Sequence, residues 1–370
     1  MIIAEIGTSH EGSFEKAKRL IDAAADCGAD AAKFQWVYAD EILHPKTGFV
    51  DLPTGRIPLY ERFKQLECPK EFYKAALEYA HSKNLKFVCS PFGVKSLAQL
   101  LELNPDAVKI ASPELNHFPM LRKLAQFRTR QISCGEKPIR VIVSSGVSKL
   151  KDIEAALEIL GKENVALLHC VTAYPAPEND YNVRLVSTLH EIFGVETGIS
   201  DHSLDAVLVP CLAAAEGAAC FEKHITLSKK TSGLDDPVAL EPKQFSQMTQ
   251  ALRQCEAALN HYGRERGRQE IINQISMQYG SERVEKVLGS GVKKLAASEE
   301  KNYGRTNRSL RYLNACSCAH VLQESDVGVL RTEKILTPGI PPEFLERVVG
   351  KRLVRNVESG DPVLLEDFMN

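Results

Sequence analysis

The sequence predicts an α/β fold, a (β/α)₈ TIM barrel followed by a small β-rich domain. Three observations predict it. Eight short apolar segments recur up to about residue 227, helical patterns lie between most of them, and short turn-dense pieces follow from about residue 306. Alternating strands and helices are typical of a parallel sheet, and eight repeats favour a closed barrel.

The eight apolar segments are continuous Val-, Ile- and Phe-rich runs rather than strict alternations with polar residues. This pattern is typical of strands that helices cover on both faces. The predicted strands span residues 2–6, 31–35, 86–89, 107–110, 140–144, 165–171, 197–200 and 219–226.

The helices between these strands have recognisable ends. Ser13 is an N-cap residue for the first, which ends before Cys27-Gly28. Other amphipathic stretches cover residues 70–82, 150–160, 205–215 and 242–259. A doubly wound open sheet is the alternative, but no GxGxxG motif follows the first strand, so the barrel is favoured.

Composition divides the chain into three parts. We predict a barrel domain over residues 1–262, a polar, charge-rich linker arm over 263–305 and a compact domain over 306–370. The last part is dense in turns, at residues 322–326, 337–342 and 358–362.

Charge and cysteine usage exclude several classes of protein. Lys and Arg number 46 against 48 Asp and Glu, so the net charge of −2 argues against a nucleic-acid partner. The N-terminal residues reach Glu5 without a basic segment, and no uncharged apolar run of about 18 residues occurs, so neither a signal peptide nor a membrane span is expected. Ten scattered cysteines without a CxxC pair indicate free thiols and a cytoplasmic location. The single CxC, Cys316-Ser317-Cys318, lacks a second pair to complete a zinc site.

Unusual polar residues follow the predicted strands, at the barrel end that carries chemistry in this fold. Lys33 and Lys109 lie within strands, and Ser112 and Ser144 lie near strand ends. Together they indicate an anion site for phosphate or carboxylate, with structural ion pairs as the alternative.

Two histidines end adjacent predicted strands. His202 and His224 form a plausible divalent-metal site, with Glu11 and Asp235 as carboxylates that could lie nearby. The alternative to a metal site is that both are core histidines whose ring nitrogens are hydrogen-bonded. His169, inside a strand, could equally be such a core residue.

Taken together, the motifs resemble the sialic acid synthases of the N-acetylneuraminate synthase type. The resemblance covers nearly the whole chain in order, and its C-terminal part resembles the antifreeze-like (SAF) domain of those synthases. The matching segments are residues 4–12, 32–35, 108–114, 168–175, 198–203, 222–226 and 307–310, with turns at 338–339 and 349–351.

The resemblance implies condensation of phosphoenolpyruvate with an N-acetylated hexosamine to a nine-carbon 2-keto acid and phosphate, assisted by Mn²⁺ or Mg²⁺. It implies a catalytic carboxylate at Glu114 and a small-domain arginine, Arg308, that reaches the N-acyl group in a partner subunit's barrel, and hence a domain-exchanged homodimer. The implied catalytic residues are Glu114, Glu11, Lys109 and Arg308; the substrate-binding residues are Lys33, Ser112, Ser144, Thr172, Tyr174 and Asp235; the metal ligands are His202 and His224.

The departures from the family pattern fall on the sugar side. The family often has Asn where Ser9 and Thr172 stand, and residues 34–83 contain no Asn. Residues 233–237 also depart from the usual Pro-Asp-His pattern. Our hypothesis is that the reaction is kept while the acceptor differs from plain N-acetylmannosamine.

Two other functions stay open at the level of sequence. A Schiff-base aldolase of the same fold would also need a buried strand lysine. A non-catalytic carbohydrate-binding or polysaccharide-coat protein would instead use the small domain, although lysines, histidines and Glu114 at strand ends speak against it.

Overall fold

The computed structural model describes residues 1–52, 55–231 and 233–369, and eight of its strands form a closed parallel barrel. Going round the barrel, the order is β1-β10-β9-β8-β7-β6-β5-β2, which confirms the predicted fold class. The strands are β1 (Ile2–Gly7), β2 (Ala31–Trp36), β3 (Phe49–Leu52), β4 (Gly55–Pro58), β5 (Lys86–Pro91), β6 (Ala107–Ile110), β7 (Arg140–Ser144), β8 (Val165–Cys170), β9 (Glu196–Asp201), β10 (Cys220–His224), β11 (Arg308–Tyr312) and β12 (Val327–Arg331).

Helices surround the barrel and cover its outer face. Ser13 caps the first by accepting a hydrogen bond from the Lys16 amide, as the sequence predicts. No helix in the described ranges is long and apolar enough to cross a lipid bilayer. The helices are α1 (Phe14–Asp26), α2 (Ala39–Ile42), α3 (Leu59–Gln65), α4 (Lys70–Ser82), α5 (Val94–Glu102), α6 (Phe118–Ser133), α7 (Leu150–Leu160), α8 (Leu185–Phe193), α9 (Leu208–Ala215), α10 (Pro242–Tyr262), α11 (Arg264–Tyr279), α12 (Ser281–Leu288) and α13 (Leu345–Val348).

The barrel interior is apolar at the N-terminal ends of the strands and polar at the C-terminal ends. Ile3, Val88, Ile142 and Leu168 belong to one buried apolar cluster that fills the N-terminal end. Because side chains alternate along a strand, the next inward positions lie two residues further on. Those positions are polar, and they form the site described below.

The polar segment after the barrel contains two further helices. Helix α11 packs against α9 and α10, and it buries Ile271 and Ile275. The following loop returns to the barrel mouth, where Glu299 accepts hydrogen bonds from the amides of Val147 and Thr172 at 2.8 and 2.7 Å. The linker arm over 263–305 stays a prediction as a domain boundary, but its residues pack on the barrel.

The small C-terminal domain has its own apolar core, which includes Leu310, Tyr312 and Leu353. Strands β11 and β12 pair antiparallel within it. Its side chains also contact the barrel: Arg308 and Arg331 pair with Glu114 of the barrel, both at 2.5 Å. The small domain therefore covers the side of the barrel mouth at the end of β6.

Candidate active site

A polar pocket lies at the C-terminal mouth of the barrel. The alternation of side chains explains it, because inward Ile3, Ala31 and Ala107 are followed two residues later by Glu5, Lys33 and Lys109. The pocket brings together eight of the twelve predicted site residues: Lys33, Lys109, Ser112, Ser144, Thr172, Tyr174, His202 and His224.

The two lysines form ion pairs inside the pocket. Lys33 Nζ lies 2.7 Å from Glu5 Oε1 and 3.6 Å from Glu222 Oε1. Lys109 Nζ lies 4.0 Å from Glu222 Oε1 and donates to Ser144 Oγ at 2.7 Å. Both alternatives raised by the sequence therefore apply in part, since the lysines are ion-paired and also line an accessible pocket.

The ion pairs set the charge of these groups. Burial lowers the pKa of Lys33, but Glu222 and Glu5 outweigh this and leave it raised. For Lys109 burial prevails over Glu222 and the pKa is lowered. Burial raises the pKa of Glu222, whereas Lys109, Lys33 and the Ser200 hydroxyl bring it down to about 2. Glu222 is therefore a carboxylate at neutral pH.

Three hydroxyl groups line the pocket beside Lys109: those of Ser112, Ser144 and Thr172. The Gly146 amide holds one of them in place by donating to Ser112 Oγ at 3.0 Å. Thr172 packs directly against the same glycine, because a Cβ atom on Gly146 would lie only 2.0 Å from Thr172 Oγ1. An ammonium group and several hydroxyls together suit an anion such as phosphate.

The histidine pair lies at the ends of β9 and β10, next to β8, which Thr172 follows. The ring centroids of His202 and His224 are 5.5 Å apart, and the Tyr174 ring lies 4.2 Å from that of His202. Asp235 also reaches this group, with its Oδ2 atom 3.8 Å from His224 Nδ1. The predicted residues Tyr174 and Asp235 thus accompany the histidines.

The histidine pair fits a divalent metal ion. His202 Nδ1 lies 2.8 Å from the Val171 carbonyl, which fixes it as a donor nitrogen and leaves Nε2 as the atom that can bind an ion. Burial lowers the pKa of His202, while Cys170, the Val171 carbonyl and Asp201 raise it to about 9, so an ion that binds Nε2 at neutral pH displaces a proton. Burial lowers the pKa of His224 more than Asp235 raises it. Two imidazoles with a nearby carboxylate are ligands that Mn²⁺ and similar ions accept.

Three predicted catalytic residues lie outside the residues that line this pocket. Glu11, in the loop after β1, pairs with Lys16 at 2.7 Å and Arg62 at 3.4 Å. Pro113 lines the pocket, but the short turn that follows points Glu114 away toward Arg308. Arg308 contacts the barrel of its own chain. The structure therefore does not bring these groups to the lysines and histidines, and their catalytic roles stay predictions.

Several pocket residues were missed by the sequence reasoning. Gln35 and Glu222 lie two residues from Lys33 and His224, so the two-residue period of the strands could have found them. Glu5 lies two residues after the inward-facing Ile3 and pairs with Lys33 of the neighbouring strand. Lys293 does not line the pocket, but it comes from the predicted arm and donates to the Ser145 carbonyl at 3.1 Å.

Comparison with known proteins gives consistent matches along the chain. Residues 20–264 match the NeuB family, and residues 319–369 match the SAF domain. The spore coat polysaccharide biosynthesis protein SpsE of Bacillus subtilis is 30% identical over 374 residues, which cover 100% of this chain and 93% of that protein. Its crystal structure has a TM-score of 0.79 to this fold, with 28% identity over 100% of this chain and 95% of that chain.

Two relatives from Campylobacter jejuni are named as synthases. An N,N'-diacetyllegionaminic acid synthase is 29% identical over 370 residues, covering 98% of each chain. A pseudaminic acid synthase is 30% identical over 376 residues, covering 99% of this chain and 96% of that protein.

Proposed function

The chain belongs to the NeuB family and is a synthase, and we propose that it condenses phosphoenolpyruvate with a 2-acetamido hexose to a nine-carbon 2-keto sugar acid and phosphate. One observation carries this proposal: two buried lysines, a hydroxyl-lined concavity and a histidine pair share one pocket at the barrel mouth. Phosphoenolpyruvate carries a phosphate and a carboxylate beside a nucleophilic methylene carbon, and the pocket offers partners for both anionic groups.

The phosphate of phosphoenolpyruvate fits the side of Lys109. This lysine already donates to Ser144 Oγ at 2.7 Å, and the hydroxyls of Ser112 and Thr172 line the same pocket. Lys33 and Ser112 then serve the remaining oxygens of the phosphate or carboxylate. Binding the anion weakens the existing ion pairs, so Glu5 and Glu222 limit its affinity.

The reaction joins C3 of phosphoenolpyruvate to C1 of the open-chain sugar. Water adds at C2, and the bond from C2 to the phosphate oxygen breaks, so phosphate leaves with its bridging oxygen. The water gives up both of its protons: one goes to the sugar oxygen and the other leaves with the phosphate. A Mn²⁺ or Mg²⁺ ion on His202 and His224 supplies Lewis acidity toward the aldehyde oxygen when bound.

Glu5 and Glu222 are placed to orient the water and the substrate. The Oε2 atom of each is buried and has no hydrogen-bond partner among the described residues, so each can accept a hydrogen bond from either. Because the pKa of Glu222 is only about 2, this carboxylate acts as an acceptor and not as a proton carrier. Glu11 lies further out, where it suits contact with the sugar, and Glu114 acts through its hold on Arg308.

The acceptor sugar is proposed to differ from plain N-acetylmannosamine. The departures at Ser9 and Thr172 support this, and Ser9 Oγ donates to Asp236 at 2.6 Å rather than facing a ligand. Several 2-acetamido and 2,4-diacetamido hexoses should be offered with phosphoenolpyruvate and Mn²⁺, with phosphate release as the measurement. Equal or best use of N-acetylmannosamine would overturn the altered acceptor.

A cytoplasmic location is part of the proposal. All ten cysteines are free thiols and eight of them are buried, which suits a reducing compartment.

A homodimer with exchanged small domains is also part of the proposal, on the strength of the family resemblance. Complementation tests it: chains with Lys109→Met and chains with Arg308→Ala are unfolded together and refolded. If the domains exchange, mixed dimers hold one intact site and about a quarter of wild-type activity returns. If each small domain serves its own barrel, the mixture stays as inactive as its parts.

The reaction itself is tested by the fate of the bridging oxygen. Phosphoenolpyruvate labelled with ¹⁸O at the C2 oxygen should give phosphate that retains the label.

A Schiff-base aldolase is the rival function. The lowered pKa of Lys109 favours it, since an amine must be neutral to act as a nucleophile. Borohydride with pyruvate would then trap a lysine adduct. Such an adduct, without sugar-dependent phosphate release, would overturn the synthase.

A further inference from the structure

A second group of metal-ligating side chains lies in the small domain, away from the barrel pocket. Cys316, His320 and Asp326 each offer one ligand atom, and these three atoms lie within 4.8 Å of one another. The three residues belong to the connection between β11 and β12. Neither the barrel chemistry nor the contacts with Glu114 uses them.

The backbone holds the three side chains in place. Cys316 exchanges two backbone hydrogen bonds with Val357, at 3.0 and 2.9 Å. The His320 amide closes a turn by donating to the Ser317 carbonyl at 3.1 Å. Within this turn Ala319 has a φ of 69°, a conformation that residues with a Cβ rarely adopt. Asp326 accepts from the Gln323 amide at 2.8 Å. The group is therefore organised before any ion binds.

The chemistry of the group suits zinc. Thiolate, imidazole and carboxylate are all zinc ligands, and atoms within 4.8 Å of one another can share one tetrahedral ion. His320 Nε2 already lies 2.8 Å from Asp326 Oδ2, so an ion would replace the proton between them. The Cys316 thiol is buried beside the same carboxylate and would lose its proton on binding.

We propose that Cys316, His320 and Asp326 bind one Zn²⁺ ion, with a water molecule as fourth ligand. The bound ion would stabilise the connection between β11 and β12. This small domain has a limited core, and a metal that binds only the folded state stabilises it. The zinc site does not depend on the barrel reaction, so either proposal can be disproved without affecting the other.

Titration of the full chain with Co²⁺ in place of Zn²⁺ tests the site. A thiolate ligand gives an intense near-ultraviolet charge-transfer band that imidazole and carboxylate ligands do not give. We expect this band to reach its maximum by two equivalents, because the barrel histidines can take up the other ion, and to vanish in Cys316→Ser. It should persist in Cys318→Ser, the exposed cysteine two residues away, and in Cys170→Ser, the thiol beside His202.

His320→Gln supplies a second variant in case Cys316→Ser does not fold, which circular dichroism without metal would reveal. It should bind Co²⁺ at least about tenfold more weakly while keeping its fold. Zn²⁺ should raise the Tm of the wild type by more than that of either variant, because the barrel histidines can still bind the ion in all three proteins. No thiolate band in the wild type, or a band unchanged in both Cys316→Ser and His320→Gln, would overturn the proposal and leave an ordinary histidine–aspartate pair.

Discussion

Two glutamates explain how two lysines stay inside a barrel without a bound ligand. Each buried ammonium group has a carboxylate within 4.0 Å, so Glu5 and Glu222 offset the cost of burying Lys33 and Lys109. The same arrangement leaves one oxygen of each glutamate without a partner among the described residues. At the scale of the residue, stability and ligand binding thus compete for the same charges.

Replacing Lys109 by Met should separate these two roles. We expect kcat/KM for phosphoenolpyruvate to fall about 10²- to 10³-fold, because an ammonium group directed at the phosphate is lost. Lys223→Met is the matched control. Lys223 is an equally buried lysine that pairs with Asp201 at 2.6 Å and does not line the pocket. Equal losses of activity in the two folded variants would contradict the assignment.

His169 should make the stability of the protein depend on pH. Burial and Lys293 lower its pKa from 6.5 to about 3, although the Tyr181 carbonyl acts in the opposite direction. Below pH 6.5 the His169 imidazole is protonated in the unfolded chain but stays neutral in the folded chain. The free energy of unfolding therefore falls as the pH drops toward 3. The slope from this group approaches about 1.4 kcal/mol per pH unit.

Urea unfolding between pH 7 and pH 5 measures this slope. His169→Gln should show a shallower dependence than the wild type, because glutamine does not titrate and can still donate to the Tyr181 carbonyl. A wild-type slope that this substitution leaves unchanged would show that His169 is charged in the folded state.

Within single elements, the period of the strands decides which residues become functional. On β2 and β10 the inward positions carry the site, whereas the outward positions meet the helices or, for Lys223, Asp201 of the neighbouring strand. The sequence could therefore predict all eight barrel strands and eight of the residues that line the pocket. It could not predict the direction of Glu114, because its partner Arg308 lies 194 residues away.

Two glycines of the barrel should respond differently to alanine. In β9, a Cβ on Gly198 would lie 2.0 Å from the backbone oxygen of Cys220, which cannot move without breaking the sheet. Gly198→Ala should therefore cost about 3 kcal/mol or more of unfolding free energy. On Gly146 the conflict is with the Thr172 side chain, which can rotate.

Gly146→Ala should accordingly keep most of its stability but raise KM for phosphoenolpyruvate, since the added methyl group displaces the Thr172 hydroxyl that lines the pocket. Urea unfolding and steady-state kinetics on both variants check this pair of expectations. A wild-type KM in the Gly146→Ala enzyme would show that the phosphate binds elsewhere.

At the scale of the whole molecule, one buried carboxylate joins the two domains. Glu114 is fully buried, and its two oxygens meet Arg308 and Arg331 separately. The family resemblance implies a catalytic role for this carboxylate, and the structure gives it two guanidinium partners from the small domain. Composition and the spacing of apolar residues do not predict side-chain contacts such as this one, between segments far apart in the sequence.

Glu114→Gln should cost about 3–5 kcal/mol of unfolding free energy, because two buried guanidinium groups lose their counter-charge. The matched control is Glu346→Gln, whose carboxylate pairs with Arg122 across the same junction but is exposed. We expect that control to change stability by less than about 0.5 kcal/mol. Lost turnover in a Glu114→Gln protein of unchanged stability would instead support the catalytic role.

A crystal structure with saturating Mn²⁺ and phosphoenolpyruvate tests the central claim most directly. The claim predicts the phosphate within hydrogen-bond distance of Lys109 and Ser144, and the metal on His202 and His224. Density for both ligands at another place, with the barrel pocket empty, would contradict it.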